Sequence, residues 1–248
     1  MKHFAILTFF LAGGVFAAEP PGWETAPLLA AARSLIETQR SGPYVLSDAE
    51  WFNWCPSVLK APDGKYHMFH SRWRKSIGFS AWLAMSEIVH RVADRPEGPF
   101  RFVGVAIPGK SAERGEWFSA HNPKIKRFNG RYYLYFIQTR GLASDAEREE
   151  LSRAGGKHPR WMEVRNRQRT FVAWSDSLDG PWTISKEPIV EPALTIERLT
   201  VNPAVALRPD GTYLMIVKGD KPGEQRFIRN QAVATAPRPE GPWTIQPK

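Results

Sequence analysis

The chain repeats itself, and that constrains its fold more than any other property. Three segments share a pattern built on proline: Cys55-Pro56-Ser57-Val58-Leu59, Asn122-Pro123-Lys124-Ile125-Lys126 and Asn202-Pro203-Ala204-Val205-Ala206. Each is followed, at nearly the same distance, by an Asx-Gly dipeptide: Asp63-Gly64, Asn129-Gly130 and Asp210-Gly211. Asx-Gly between apolar runs signals a tight hairpin whose two turn residues are expected at positive φ. Strand-forming runs follow each turn, Tyr66 to Phe69, Tyr132 to Phe136 and Tyr213 to Val217. A second motif recurs further on: Glu97-Gly98-Pro99-Phe100, Asp179-Gly180-Pro181-Trp182 and Glu240-Gly241-Pro242-Trp243. β-like stretches precede it (Glu87 to Ala93, Thr170 to Ser175, Asn230 to Thr235), and short ones follow it.

One unit therefore reads as strand, Asx-Gly turn, strand, connection, strand, Gly-Pro turn, strand. That is a four-stranded antiparallel meander, the blade of a β-propeller. A lone twisted sheet of this kind leaves both faces apolar, so blades must stack to bury them. The rings of Phe100, Trp182 and Trp243 are expected to wedge between neighbouring blades. The fold class is all-β, with blades over about 51–115, 116–195 and 196–248. Two segments stand outside the repeat: a short helix over Ala26 to Glu37, and a charged helical insertion over Ser144 to Ala154. The insertion is either surface decoration or a wall of the central pocket, since blade connections surround the propeller mouth.

The first residues read as a cleavable export signal over 1–17. Lys2 and His3 precede the apolar stretch Phe4 to Phe16, and Val15-Phe16-Ala17 supplies a small-residue cleavage pattern. The apolar run is short for a membrane span, and no later segment is apolar enough for one. A secreted or periplasmic protein is expected, with 18–50 as an N-terminal segment before the propeller. Its single cysteine, Cys55, excludes an intramolecular disulfide and reads as an inert buried thiol. The charge is basic, with 34 Lys and Arg against 25 Asp and Glu, which favours anionic partners. Those charges are scattered and no nucleic-acid motif accompanies them. An acidic glycan, sulfated or uronic, suits an exported protein better than nucleic acid; a generic basic surface is the plainer alternative.

Trp54 through Trp73, Glu116 through Tyr135, Arg165 to Arg169 and Asn202 through Lys218 resemble five-bladed propeller glycoside hydrolases. The nearest relatives are bacterial glycosidases of families 43 and 117, including those called "sucrase". The resemblance runs from about Trp51 to the last residue, and it implies a funnel at the axis where a terminal sugar is cleaved. Two departures stand out. The group has five blades, whereas three units are complete here, which implies a truncated or split form, a homo-oligomer, or a partner chain that completes the ring. In family 43 an Asp before the first Pro serves as general base, but Cys55 holds that place, and Asn122 and Asn202 hold its equivalents.

Glycoside hydrolysis ordinarily needs two carboxyls flanking the bond. Glu50, Glu116 and Glu197 lie at matching distances before their prolines, and Asp48 is a fourth candidate. Glu116 and Glu197 are expected to face the pocket with Glu50 or Asp48; solvated loop acids are the alternative. His121, directly before Asn122, could bind a hydroxyl or act as acid, or be structural. Asn122 and Asn202 suit sugar hydroxyls, or cap the start of a strand. The resemblance places Arg72, Trp73 and Arg169 near the pocket, with Trp54 and Lys218 in the same matching stretches. Arg would clamp an anionic substituent, and Trp73 would stack on a sugar ring. Glu87 matches a family position and could pair with Arg72. No metal-ligand spacing is visible among the six His, so no cofactor is expected; the resemblance leaves open a structural ion on the axis, which the sequence neither supports nor excludes. The functional expectation is an exported glycosidase acting on terminal sugars of a plant or algal, acidic or neutral, poly- or oligosaccharide. The alternative is a carbohydrate-binding propeller that has lost its catalytic acids.

Overall fold

A computed structural model describes residues 46–224 and 228–247. The export signal and the helix expected over Ala26–Glu37 lie outside these residues. Twelve strands form three four-stranded antiparallel sheets, each a simple meander in chain order. The first sheet contains β1 (Trp51–Lys60), β2 (Tyr66–Arg74), β3 (Glu87–Ala93) and β4 (Arg101–Ile107). The second contains β5 (Phe118–Phe128), β6 (Arg131–Thr139), β7 (Arg169–Ser175) and β8 (Thr183–Ile184). The third contains β9 (Glu197–Leu207), β10 (Tyr213–Asp220), β11 (Arg229–Ala236) and β12 (Thr244–Ile245). The molecule is thus a partial β-propeller of the expected blades.

Alternation along the second strand of each blade decides what packs where. Tyr132, Leu134 and Phe136 of β6 join Phe69, Ile88, Phe171 and Ala173 in a core between the first two sheets. Tyr133 and Tyr135 point the other way and join Val205, Tyr213, Met215 and Val217 between the second and third. Each such fully buried side chain contributes about 1.5–3 kcal/mol. Leu214, Ile216 and Val233 of the third blade hold the places of Tyr133, Tyr135 and Val172. Ile216 and Val233 are exposed, whereas Tyr135 and Val172 are buried.

The Gly-Pro turns join the third and fourth strands of each sheet, as predicted. Trp182 meets Phe69 of the preceding blade edge-on at 5.6 Å, and Trp243 is buried in the core facing the second blade. Phe100 belongs to the first blade, and no described blade precedes it. Glycine is required in these turns for two reasons: φ is +100°, +86° and +111° at Gly98, Gly180 and Gly241, and the following ring occupies the space of a Cβ. In the second and third blades the acid of the turn ties the blade to the one before it. Asp179 lies 3.3 Å from Nδ1 of His90, and Tyr133 donates to Glu240 at 3.0 Å.

The Asx-Gly turns depart from expectation in one respect. Asn129 has positive φ together with Gly130, but at the other two turns only Gly64 and Gly211 do. Those two loops are longer, and their aspartates instead accept backbone bonds, Asp63 from Lys65 and Asp210 from Thr212, both at 2.9 Å. An Asx turn replaces the left-handed residue.

The predicted insertion is helix α2 (Asp145–Ala154). Ser144 caps it, and Glu147 returns the bond to form a capping box. It packs against α1 (Trp82–Met85) in the β2–β3 connection, and α3 (Trp161–Asn166) follows it. Leu83, Phe118, Leu151 and Val164 make a small core there, with Trp82 and Trp161 against it.

Candidate functional site

The three X-Pro positions share one backbone device. Cys55, Asn122 and Asn202 have φ of 50°, 53° and 54°, and the pairing register of each inner strand slips at that point. A bulge with a left-handed residue re-aims the side chain that it carries. Asparagine tolerates this conformation, whereas cysteine does not favour it. Asn122 uses its side chain to bridge blades, donating to Oδ1 of Asn202 at 2.6 Å. Burial pushes the Cys55 thiol up, with Lys124 opposing, so Cys55 is held as a thiol rather than a nucleophilic thiolate.

Beside these bulges lies a cavity of about 230 Å³ lined by Trp54, Trp73, Phe79, Trp82, His121 and Asn122. Trp54 precedes the first bulge, Trp73 ends β2, and His121 and Asn122 form the second bulge. Phe79 and Trp82 come from the β2–β3 connection. Phe79 stands edge-on to Trp54 at 5.8 Å and to Trp73 at 5.7 Å. Trp82 stands edge-on to His121 at 5.4 Å and is backed by Trp161 at 5.9 Å. Trp54 is 49% exposed, so part of it is open to a ligand. Trp73 and His121 are buried, and their Nε1 and Nδ1 atoms have no hydrogen-bond partner. Orphaned buried polar atoms are rare and call for an explanation; at a pocket wall, a ligand supplies one.

His121 is held neutral. Burial lowers its pKa from 6.5 to about 4, although a bond to Gln168 opposes the shift. Near neutral pH the ring is therefore uncharged and suited to a hydrogen bond with one N–H and one bare nitrogen.

The predicted carboxylates are not gathered in this pocket. Glu116 lies in a larger groove of about 850 Å³, between the ends of β4 and β8, with Arg114, Trp117, Arg140 and Trp182. It is exposed and pairs with Arg140 at 2.7 Å. Glu50 is exposed and pairs with Arg74. Asp48 accepts the backbone N–H groups of Glu50 and Trp51 at 2.9 and 3.2 Å. Glu197 lies 3.0 Å from Arg198 and accepts the N–H of Gly223 at 3.4 Å. Trp54, Trp73, His121 and Asn122 are thus brought together, while the four acids are dispersed.

The two predicted arginines have protein partners. Arg72 bonds Glu87 at 2.7 Å, as its matching position suggested, with its guanidinium 4.0 Å from the Trp51 ring centroid. Arg169 bonds Glu191 at 2.7 Å and the carbonyls of Gln168 and Arg198 at 2.9 and 2.8 Å. Lys218 lies in β10 opposite Val201 and Gln231 and is not among the pocket-lining residues. Among the described residues, no group of three or more His, Cys, Asp or Glu is placed to hold a metal ion.

Sequence reasoning missed Phe79 and Trp82, which have no counterpart in the repeat, and Gln168 behind His121. It also missed Asp220, buried at the end of β10. Arg165 clamps it with two bonds of 2.7 and 3.0 Å, and Arg229 adds a third. Burial alone would raise the Asp220 pKa, but Arg165 and Arg229 hold it below the usual carboxylate value. This clamp ties α3 of the second blade to the third.

No family model matches the chain, and no curated protein matches it. Solved structures do. A family 117 glycoside hydrolase of the marine bacterium Zobellia galactanivorans superposes with a TM-score of 0.62 at 19% identity, over 82% of this chain and 58% of that one. A family 43 β-xylosidase/α-arabinofuranosidase from a compost metagenome gives 0.51 at 18%, over 81% and 60%. Fructan 1-exohydrolase IIa of Cichorium intybus gives 0.55 at 16%, over 82% and 34%. The chain spans less than two thirds of each of these proteins, and what it shares with them is the propeller fold.

Proposed function

We propose, from a fold shared with propeller glycoside hydrolases, that this chain is carbohydrate-active. It binds a terminal sugar of a plant or algal oligosaccharide in the aromatic pocket. The observation that carries the reading is the clustering of Trp54, Trp73, Phe79 and Trp82 beside the bulged inner strands. Aromatic faces match the C–H faces of a sugar ring, and a few placed polar groups, here His121 and Asn122, orient it. Because Arg72 and Arg169 are already paired, the pocket suits a neutral ring better than a uronate or sulfate.

As a hydrolase, the chain would cleave the glycosidic bond of that terminal sugar after export through its N-terminal segment. A second reading, binding without turnover, is favoured by one observation: the pocket lining contains no carboxyl group. One experiment separates the two. The full chain is incubated with a panel of neutral plant and algal oligosaccharides, and released reducing sugar and binding heat are both measured. Release identifies a hydrolase; heat without release identifies a binding propeller. Neither signal with any member of the panel rejects the carbohydrate reading.

A further inference from the structure

We propose that Gln168 is a positioning residue that keeps the His121 proton on Nε2, so that Nδ1 offers a hydrogen-bond acceptor to a sugar hydroxyl in the aromatic pocket. This rests on the sugar-binding reading above for its ligand, but not for its geometry.

The argument begins at a backbone carbonyl. The side-chain amide nitrogen of Gln168 lies 2.8 Å from the carbonyl oxygen of Arg165. A carbonyl can only accept, so the NH₂ end of the amide must face it. That fixes the other end: Oε1 of Gln168 faces Nε2 of His121 at 3.1 Å. Oε1 can also only accept, so Nε2 of His121 must carry the hydrogen. A neutral imidazole has one N–H, and Nδ1 is therefore left with a lone pair.

The surroundings keep this arrangement in place. Gln168 is 3% exposed and His121 likewise 3%, so water does not compete for either bond. Arg165, which supplies the reference carbonyl, is held through its side chain by the buried Asp220. Burial disfavours the doubly protonated ring, so the second nitrogen does not acquire a proton near neutral pH. Nδ1 belongs to a ring that lines the pocket, has no protein partner and is closed to water in the ligand-free chain, so a ligand reaches it only as the ring or the pocket wall shifts. The group that satisfies it must donate a hydrogen, which a sugar hydroxyl does. Asn122 donates one amide N–H to Asn202 and keeps its oxygen as an acceptor and its second N–H as a donor. At Nδ1 the pocket therefore selects a ligand by a hydroxyl donor.

The test is nitrogen-15 NMR of the His121 ring in the full chain near neutral pH, with methyl β-xylopyranoside as probe. The expected spectrum shows a protonated Nε2 and a bare Nδ1, with the Nδ1 signal moving when the glycoside is added. Gln168→Met, which removes the acceptor, is expected to populate the other tautomer and weaken binding about tenfold. Gln168→Glu, which keeps an acceptor, is expected to restore the Nε2–H tautomer and to raise the midpoint of His121 titration. A wild-type spectrum with Nδ1 protonated overturns the proposal without reference to any variant. So does a Gln168→Met protein that keeps both tautomer and affinity. If the wild-type tautomer is as stated but the glycoside moves no ring signal, the sugar-hydroxyl half fails with the reading it rests on, and the positioning of His121 by Gln168 stands.

Discussion

The aromatic pocket and the lateral groove lie on either side of the same strand start, and their chemistry is opposite. The groove is large, holds Glu116 and Arg140 as a solvent-exposed ion pair, and has Arg114 half-buried against Gln138. The pocket is small, nearly free of charge, and encloses a histidine held neutral by burial. Charged side chains in water lose little by being left alone, so an exposed ion pair contributes at most about 1 kcal/mol. Buried polar atoms are costly unless something satisfies them. The contrast teaches that the presence of a carboxylate near a strand start is a weaker sign of a site than an unsatisfied polar atom in a dry wall.

The largest predicted effect concerns what anchors the dry side. Asp220→Ala removes the buried carboxylate that Arg165 and Arg229 both bond and should destabilise the fold by about 3–5 kcal/mol, read from chemical denaturation. A loss under 1 kcal/mol would show that α3 does not depend on the clamp. Next is acidification. Unfolded, His121 takes a proton near pH 6.5, whereas in the folded state it does so only at about 4. Between those values the unfolded state holds more protons, so stability falls as pH drops, by about 3 kcal/mol for this residue alone. His70 and His90, lowered to about 4 by burial, act in the same direction. Denaturation at stepped pH checks this, and His121→Gln should flatten part of the slope; a slope unchanged by that substitution would contradict it.

Trp54→Ala follows. The ring is half exposed, so the fold should survive, while sugar affinity falls by about 2 kcal/mol, roughly 30-fold. Isothermal titration decides it, and an unchanged affinity would move the ligand elsewhere. The smallest effect belongs to the groove. Arg140→Ala should change stability by less than about 1 kcal/mol and leave sugar affinity within twofold. A large loss of affinity would make the groove, not the pocket, the place of recognition.

Much of the fold was legible in the sequence because its signals are local. Gly98, Gly180 and Gly241 mark the Gly-Pro turns through a backbone need that no other residue meets, and the alternation in Tyr132 to Phe136 encodes which blade each ring faces. The site was harder to read. Trp54, His121 and Asn122 could be found because they adjoin the repeated proline, and Trp73 because the resemblance to propeller glycosidases places it near the pocket. Phe79 and Trp82 could not, since the connection that carries them occurs once. The acids do not line the aromatic pocket, because distance along the chain from a proline does not fix direction across a bulge. Glu50 and Glu116 find arginines 24 residues away on the neighbouring strand end, a pairing that no local pattern announces. Gln168 was invisible for a similar reason: its importance comes from two bonds, one of them to a residue 47 positions away.

The most direct test follows the indole N–H signals of individual tryptophans by NMR while a neutral oligosaccharide is titrated into the full chain. If recognition occurs in the aromatic pocket, Trp54 and Trp82 shift saturably while Trp117 and Trp182, which line the groove, stay still. Saturable movement of Trp117 and Trp182 with Trp54 and Trp82 unmoved would contradict it.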